Sequence, residues 1–356
     1  MKKIRVVVVD DSALVRSLLA EIINRQVDMA CVGAASDPIV AREMIRELDP
    51  DVITLDVEMP RMDGIEFLSR LMRLRPMPVV MISTLTERGA EVTMRALELG
   101  AVDFVAKPKA GLADGFSALA TQIVEKIRIA STASVKRTTV STGDPVRPGG
   151  KSSSPPMAMK LLGLRGRDKV IFIGASTGGT EAIKEVLTHL PPDAPAILIT
   201  QHMPAGFTRS FAERLNSLCA IAVKEAEAGE RILPGHAYIA PGGRQFSIDR
   251  RGTALMAVVE DSALVNRHKP SVEVLFKSAA LTVGKQAIGV MLTGMGSDGA
   301  RAMREMKDAG SYNIVQDETS SVVFGMPREA IEHGAADEVL PVTKIAPAIL
   351  DLLKAV

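Results

Sequence analysis

The chain of 356 residues has no tryptophan, and its aromatic residues together make up only 3%. That scarcity removes the stacking platforms on which single-stranded nucleic acids are commonly held. There are two cysteines, Cys31 and Cys219. Neither has CxxC or metal-type spacing, so both are expected to be buried, reduced thiols of a cytosolic protein. An excess of one charge is also missing. The 43 lysines and arginines against 42 aspartates and glutamates leave a formal net charge of +1, too little for the overall field to recruit nucleic acid or anionic lipid. No apolar run approaches the roughly 18 residues that span a bilayer. Lys2 and Lys3 ahead of Val6–Val9 resemble the start of a signal peptide, but the run is far too short and Asp10 and Asp11 cut it off. A soluble, cytoplasmic protein is expected, without nucleic-acid partner or membrane insertion.

What is present is ordinary globular composition, 47% apolar and 24% charged, in a chain longer than one core usually supports. Short apolar runs alternate with amphipathic stretches over the first 125 residues or so. Strands are expected at Ile4–Val9, Val52–Leu55, Val79–Ser83 and Asp103–Val105. Helices are expected at Ala13–Asn24, Ile39–Glu47 and Ile65–Arg73, and near Glu91–Leu99 and Phe116–Ile129. This alternation argues for a parallel sheet with helices on both faces. Residues 131–165, rich in Ser, Thr, Pro, Gly and basic residues, show no periodicity and read as a flexible linker. From Lys169 a second α/β alternation begins, with strands at Val170–Ile173, Ala196–Thr200, Ala287–Leu292 and Asn313–Gln316. Its helices are expected near Glu181–Leu190, Thr208–Leu218, Val272–Val283 and Ala300–Ala309. An inserted hairpin is expected around His236–Ala240, Gln245–Asp249 and Leu255–Val259, with turn signals at Pro241-Gly242-Gly243 and Arg251-Gly252. The domains are thus 1–130, a linker 131–165, and 166–356. Both are read as doubly wound α/β folds, the second mostly parallel.

In the first half, Asp10, Asp11 and Asp56 end strands, where an open parallel sheet binds its ligands. Three converging carboxylates repel one another unless protons or a hard cation such as Mg²⁺ neutralise them. Ser83 and Lys107 end two further strands. An acceptor carboxylate, a cation site, a hydroxyl and an ammonium around one point can stabilise a transferring phosphoryl group. Taken singly, the Asp pair reads as a helix N-cap, and Lys107 as a solvated charge. As a set, Asp10-Asp11, the stretch Leu55-Asp56-Val57-Glu58-Met59-Pro60-Arg61-Met62-Asp63-Gly64, Ser83 and Lys107-Pro108 resemble the receiver domains of two-component signalling. The resemblance implies a flavodoxin-like, five-stranded parallel sheet and phosphorylation of Asp56 by a histidine kinase. It also implies Mg²⁺ held by Asp11, Asp56 and the Glu58 carbonyl, with Asp10 acting through water. Ser83 and Lys107 would contact the phosphate, and Lys107-Pro108 would be cis. Thr84 beside Ser83 leaves two hydroxyls for the switch role.

In the second half, Gly174-Ala175-Ser176-Thr177-Gly178 fits G-x-S-x-G between a strand and a helix, where a tight turn of small residues can lift a serine above the sheet. The following helix N-terminus offers N–H groups to a developing oxyanion. A phosphate-cradling turn with Ser176 as a mere cap fits the pentapeptide about as well. A nucleophilic serine needs a base, and the base an orienting acid. Of the five histidines, His202 directly follows an apolar strand and so reaches the same crevice, although a structural role is open to it. His189 and His333 lie at helix ends as dipole partners. His236 starts the expected hairpin, and His268 sits in a polar turn able to flank a substrate. Asp298 lies in Gly294-Met295-Gly296-Ser297-Asp298-Gly299, a literal GxGxxG with Asp317 further on. That pattern matches a dinucleotide fingerprint, but Asp298 inside the turn would repel a pyrophosphate. Ser176, His202 and Asp298 all fall at strand ends of one sheet, so a triad is geometrically plausible.

The stretches Ile173–Thr180, Gln201-His202-Met203-Pro204, Leu292–Gly299, Ala240-Pro241-Gly242 and His268-Lys269-Pro270-Ser271 resemble the catalytic domain of chemotaxis protein-glutamate methylesterases. That resemblance implies hydrolysis of glutamate γ-methyl esters on chemoreceptor helices, deamidation of certain receptor glutamines, and activation by phosphorylation. It casts Ser176 as nucleophile, His202 as base and Asp298 as orienting acid, with no cofactor in that domain. The N–H groups of Thr177 and Met295 would form the oxyanion hole. Asp56→Asn is expected to abolish base-labile phosphorylation by a cognate kinase, and undiminished labelling of that variant would remove Asp56 as the acceptor.

Overall fold

The computed structural model describes residues 2–57, 59, 63–84, 87–107, 112–135 and 168–354. Glu58, Pro108 and most of the expected linker lie outside them. The first unit runs β1 (Ile4–Val9), α1 (Ala13–Asn24), β2 (Met29–Ala35), α2 (Pro38–Leu48), β3 (Val52–Asp56), α3 (Gly64–Leu74), β4 (Val79–Thr84), α4 (Glu87–Glu98), β5 (Asp103–Lys107) and α5 (Leu112–Thr132). The five strands pair in parallel in the order β2-β1-β3-β4-β5. Val6–Val9 are at most 1% exposed, as a strand covered by helices on both faces requires. Strand β2 is missing from the strands expected above. Its Met-Ala-Cys-Val-Gly-Ala-Ala sequence is short of β-branched residues and lies at a half-buried sheet edge, so it carries neither alternation nor a continuous large-apolar run.

The helix starts position the strand-end acids. Helix α1 is capped by Ser12, whose hydroxyl accepts from Val15 N, rather than by the Asp pair. Asp10 and Asp11 are thereby left for other work. Helix α3 begins at Gly64 because a Cβ there would lie 2.1 Å from the Asp56 carbonyl oxygen. Only glycine lets the helix start so close to that strand end.

The second unit runs β6 (Val170–Ala175), α6 (Gly179–Thr188), β7 (Ala196–Gln201), α7 (Phe207–Leu218), β8 (Ala222–Glu225), β9 (His236–Ile239), β10 (Gln245–Arg251), β11 (Ala254–Glu260), α8 (Val272–Thr282), β12 (Ala287–Met291), α9 (Ala300–Asp308), β13 (Tyr312–Gln316), α10 (Met326–Glu332), β14 (Glu338–Leu340) and α11 (Val342–Lys354). Its seven-stranded sheet has the order β14-β13-β12-β6-β7-β9-β8, and every pairing is parallel. The chain leaves β6 toward β7 on one side and later returns to place β12 on the other. The crevice at the ends of β6, β7 and β12 is therefore the topological switch point.

The expected hairpin is smaller than its sequence suggested. Only β10 and β11 form it, pairing antiparallel from Gln245↔Glu260 to Arg251↔Ala254. His236–Ile239 instead joins the main sheet beside β7, Ile197 facing Ala237. Ala237, Tyr238 and Ile239 are 0–1% exposed, a burial that an exposed two-stranded ribbon cannot provide. Strands β8 and β14, of four and three residues, lie at the two sheet edges and are too short to carry a periodic signal. Helices α10 and α11 contain Pro327 and Pro347, which mask them.

Cys31 and Cys219 are free but half-buried rather than buried, and partial burial raises both thiols, Cys219 to about 11. Among the described residues no helix is long and apolar enough to cross a membrane. Phe276 of α8 is fully buried beneath β6, and a Cβ on Gly174 would come within 3.2 Å of its ring. Phe276→Ala is expected to destabilise the second unit by about 3–5 kcal/mol, read as a lowered urea midpoint in equilibrium unfolding.

Candidate functional site

At the C-terminal end of the first sheet, Asp10 is fully buried, Asp56 is 2% exposed and Asp11 is exposed. The Lys107 ammonium bridges the two buried acids, 2.9 Å from Asp10 Oδ2 and 2.7 Å from Asp56 Oδ2. Burial works to lower the Lys107 pKa, but the attraction of Asp56 and then Asp10 outweighs it and the value is raised. Asp10 Oδ1 accepts from Ser12 N at 2.9 Å. Oxygens of Asp10, Asp11 and Asp56 all lie within 4.8 Å of one another. Three carboxylates against one ammonium leave two negative charges in excess, and an all-oxygen donor set of that charge suits a hard divalent cation such as Mg²⁺. Ser83 is fully buried and turned toward α4. Its Oγ lies 2.7 Å from Thr93 Oγ1, and both hydroxyls meet the Gly89 carbonyl, at 3.2 and 2.7 Å.

In the second sheet, Ala175 pairs with Gln201 and Gly174 with Met291. Ser176 and His202 therefore follow paired positions on neighbouring strands, which run about 5 Å apart. The His202 N–H donates to the Ala175 carbonyl (3.2 Å) and the Ser176 N–H to the Thr293 carbonyl (3.0 Å). Small residues make the convergence possible. Gly178 turns the chain at φ +76°, and a Cβ on Gly294 would lie 2.7 Å from Ser176 Cβ.

His202 Nε2 donates to Asp298 Oδ2 at 2.8 Å, while its buried Nδ1 has no hydrogen-bond partner among the described residues. This fixes the tautomer with the proton on Nε2 and a lone pair on Nδ1. Asp298 is 2% exposed and also accepts from Asn266 Nδ2 (2.8 Å), Ser271 Oγ (2.7 Å) and Val272 N (2.6 Å). Burial alone would raise its pKa. The hydrogen bond and electrostatic pull of His202, then the hydrogen bonds from Ser271 and Asn266, overcome that and lower it to about 2. Against the outer side of the pair, the His268 ring stacks on His202, centroids 3.7 Å apart and planes inclined by 6°. Among the described residues, neither the Thr177 nor the Met295 N–H makes a hydrogen bond.

The structure thus brings Ser176, His202 and Asp298 to one crevice, with Thr177 and Met295 on the flanking turns. Asp10, Asp11, Asp56 and Lys107 meet in the other. Asn266 and Ser271 carried no signal that marked them as partners of Asp298, since each lies about 30 residues from it in sequence. A dinucleotide does not fit the 294–299 turn, because the buried Asp298 carboxylate occupies it. His189 and His333 cap α6 and α10, each ring Nδ1 meeting a carbonyl of the preceding turn at 2.7 and 2.8 Å.

The two units also touch each other. Asp103 of β5 accepts from Thr177 Oγ1 at 2.6 Å, and the Phe104 and Phe207 rings lie 4.5 Å apart. Arg214 of α7 forks onto both Glu98 oxygens of α4 at 2.7 and 3.2 Å.

Fold and side chains together define the class: a receiver joined to an α/β domain bearing the side-chain set of a serine hydrolase. The model described as CheB methylesterase matches residues 171–349, and that described as response regulator receiver domain matches residues 6–113. A protein-glutamate methylesterase/protein-glutamine glutaminase of Albidiferax ferrireducens is 71% identical over 352 residues, covering 98% of this chain and 94% of the relative. One from Nitrosomonas europaea is 61% identical, covering 98% and 96%. The crystal structure of the Thermotoga maritima CheB methylesterase catalytic domain aligns with a TM-score of 0.51 at 39% identity, covering 52% of this chain and 98% of that one. The chain belongs to the protein-glutamate methylesterase/protein-glutamine glutaminase family.

The stacked pair makes stability depend on pH. The His268 pKa is lowered from 6.5 to about 4, by burial first and by His202 second, against the opposing pull of Asp298. Below about 6.5 the unfolded chain takes up a proton there that the folded chain refuses until about 4. The stability this neutral ring contributes is complete above that window and is lost as the pH falls through it. His268→Gln is expected to flatten the decline in the urea midpoint between pH 6.5 and 4, and parallel declines in the two proteins would contradict a neutral His268.

Proposed function

We propose that this chain is a phosphorylation-activated hydrolase that removes methyl groups from glutamate γ-esters of chemoreceptors and deamidates specific receptor glutamines. The observation that carries the reading is the His202–Asp298 pair, set beside Ser176 at the switch point with its Nδ1 lone pair left for a proton. Residues 1–130 are the receiver, 131–165 the linker and 166–356 the catalytic domain. A cytoplasmic enzyme acting on the cytoplasmic helices of methyl-accepting receptors, with a chemotaxis histidine kinase as phosphodonor, fits this arrangement.

Ser176 Oγ attacks the ester carbonyl carbon as His202 Nδ1 takes the hydroxyl proton. The carbonyl oxygen becomes an oxyanion, and the N–H groups of Thr177 and Met295 stabilise it. The imidazolium is held by Asp298, whose lowered pKa keeps it ionised throughout. Collapse breaks the C–O bond, and His202 returns the proton to departing methanol. Water, deprotonated by His202, then cleaves the acyl-serine and leaves glutamate. With glutamine the same attack releases ammonia.

The receiver regulates this site. Asp56 accepts the phosphoryl group; Asp11, Asp56 and the Glu58 carbonyl would hold Mg²⁺, with Asp10 acting through water, and the ion would supply charge neutralisation. Lys107 contacts the phosphate. Ser83 turning to the phosphate gives up Thr93 and Gly89 on α4, the helix docked on α7 through Glu98. The unphosphorylated receiver holds Thr177 through Asp103, so the turn beside the nucleophile is tied until that contact breaks.

Ser176→Ala is expected to lower methanol release from methylated receptor by on the order of 10⁴-fold or more, and full activity in that variant ends the scheme. Removing residues 1–130 is expected to raise basal methanol release; unchanged activity of the truncated enzyme would reject restraint by the receiver.

A further inference from the structure

Away from both crevices, α2 and α3 enclose a groove of about 300 Å³ on the receiver. Its floor includes Leu71 together with two unusually exposed apolar side chains, Ile39 at 53% and Leu74 at 70%. Arginines stand around it: Arg42 and Arg46 from α2, Arg70 from α3. In a chain with a formal net charge of +1 this is a local concentration of one sign. Arg42 and Arg46 are exposed and form no ion pair among the described residues. Arg70 is paired only with Glu66, one turn away on the same exposed helix face. Such surface pairs are worth well under about 1 kcal/mol, so an incoming carboxylate can displace them. The groove stays open while the domains are docked, since the contacts described between the domains come from α4, β5, α5 and Ser134.

We propose that this groove docks an acidic amphipathic segment of a partner protein, apolar side chains on Ile39, Leu71 and Leu74 and carboxylates against Arg42, Arg46 and Arg70. Charge complementarity selects the occupant. The chain's own residues 136–167 carry seven lysines and arginines against one acid, Asp144, and are repelled by the same rim. A bilayer would meet the arginines and the exposed Ile39 and Leu74 but, being a plane, would leave Leu71, 8% exposed between the two helices, uncovered. Arg42 and Arg46 are one helical turn apart, about 6 Å. Acids at i and i+4 of a docked helix match that spacing, with an apolar stripe beside them for the floor.

The test uses the full-length protein and a fluorescein-labelled amphipathic peptide carrying Glu at i, i+4 and a leucine stripe, followed by fluorescence anisotropy. Saturable binding that weakens with salt is expected. The double reversal Arg42→Glu/Arg46→Glu should weaken it by at least about tenfold, and Leu74→Ser should weaken it with the salt dependence retained. Unchanged methanol release and thermal unfolding show that these variants are folded. The proposal falls if the double reversal binds the peptide as tightly as the parent. It also falls if a peptide with serine in place of leucine binds equally well, since the floor then contributes nothing. Preferential sedimentation of the protein with phosphatidylglycerol vesicles would assign the face to a membrane instead. A self-associated species that the double reversal dissolves would assign it to a second copy of this chain.

Discussion

A carboxylate that is 2% exposed and still ionised organises the catalytic half of the molecule. Burying an unpaired charge costs several kcal/mol, so Asp298 persists only because donors surround it. They come from separate parts of the chain: His202 after β7, Asn266 in the loop before α8, Ser271 and the Val272 N–H at the start of α8. Each donor constrains the element that carries it. The loop before α8 accommodates this with Asn266 and Arg267 at positive φ, +50° and +68°. His268, delivered by the same loop, closes over His202 as a flat neutral ring. The His202 ring is therefore held from one edge by Asp298 and from one face by His268, while its Nδ1 keeps its lone pair.

The receiver is built on the opposite electrostatic situation. There three carboxylates converge, and Lys107 spans Asp10 and Asp56. A site with surplus negative charge at its strand ends is poised to change when a cation and a phosphoryl group arrive. The adjoining hydroxyl, Ser83, is hydrogen-bonded into α4, and α4 is among the elements that meet the catalytic domain, with β5 and α5. Charge at Asp56 and geometry at Thr177 are thus separated by packed elements rather than by a mobile chain, which is the kind of connection a two-state switch needs.

Much of both sites was legible in the residues, for a physical reason. Doubly wound sheets put their chemistry at strand ends, so a polar residue directly following an apolar strand is conspicuous. Asp56, Lys107, Ser176 and His202 all stand at such positions, although Lys107 taken singly reads as a solvated charge and a structural role is open to His202. Asn266 and Ser271 do not, because their role exists only once a loop folds back on a carboxylate from another part of the chain. The same reason explains the errors among the elements. Strand β2 is made of small residues at a half-buried edge, and His236–Ile239 carries an alternation equally suited to a hairpin or to a buried parallel strand. Which sheet it joined depended on whether β7 had a free edge.

Local sequence by itself determined the two α/β alternations, the residues at their strand ends and the small-residue turn that exposes Ser176, since propensity, periodicity and glycine sterics act over a few residues. Tertiary structure alone decided the rest. It chose the ring nitrogen that His202 gives to Asp298, set Lys107 against Asp10 and Asp56, and joined Asp103 to Thr177. Each of these is a contact between groups far apart in the chain, and its energy depends on burial and distance that no local pattern encodes.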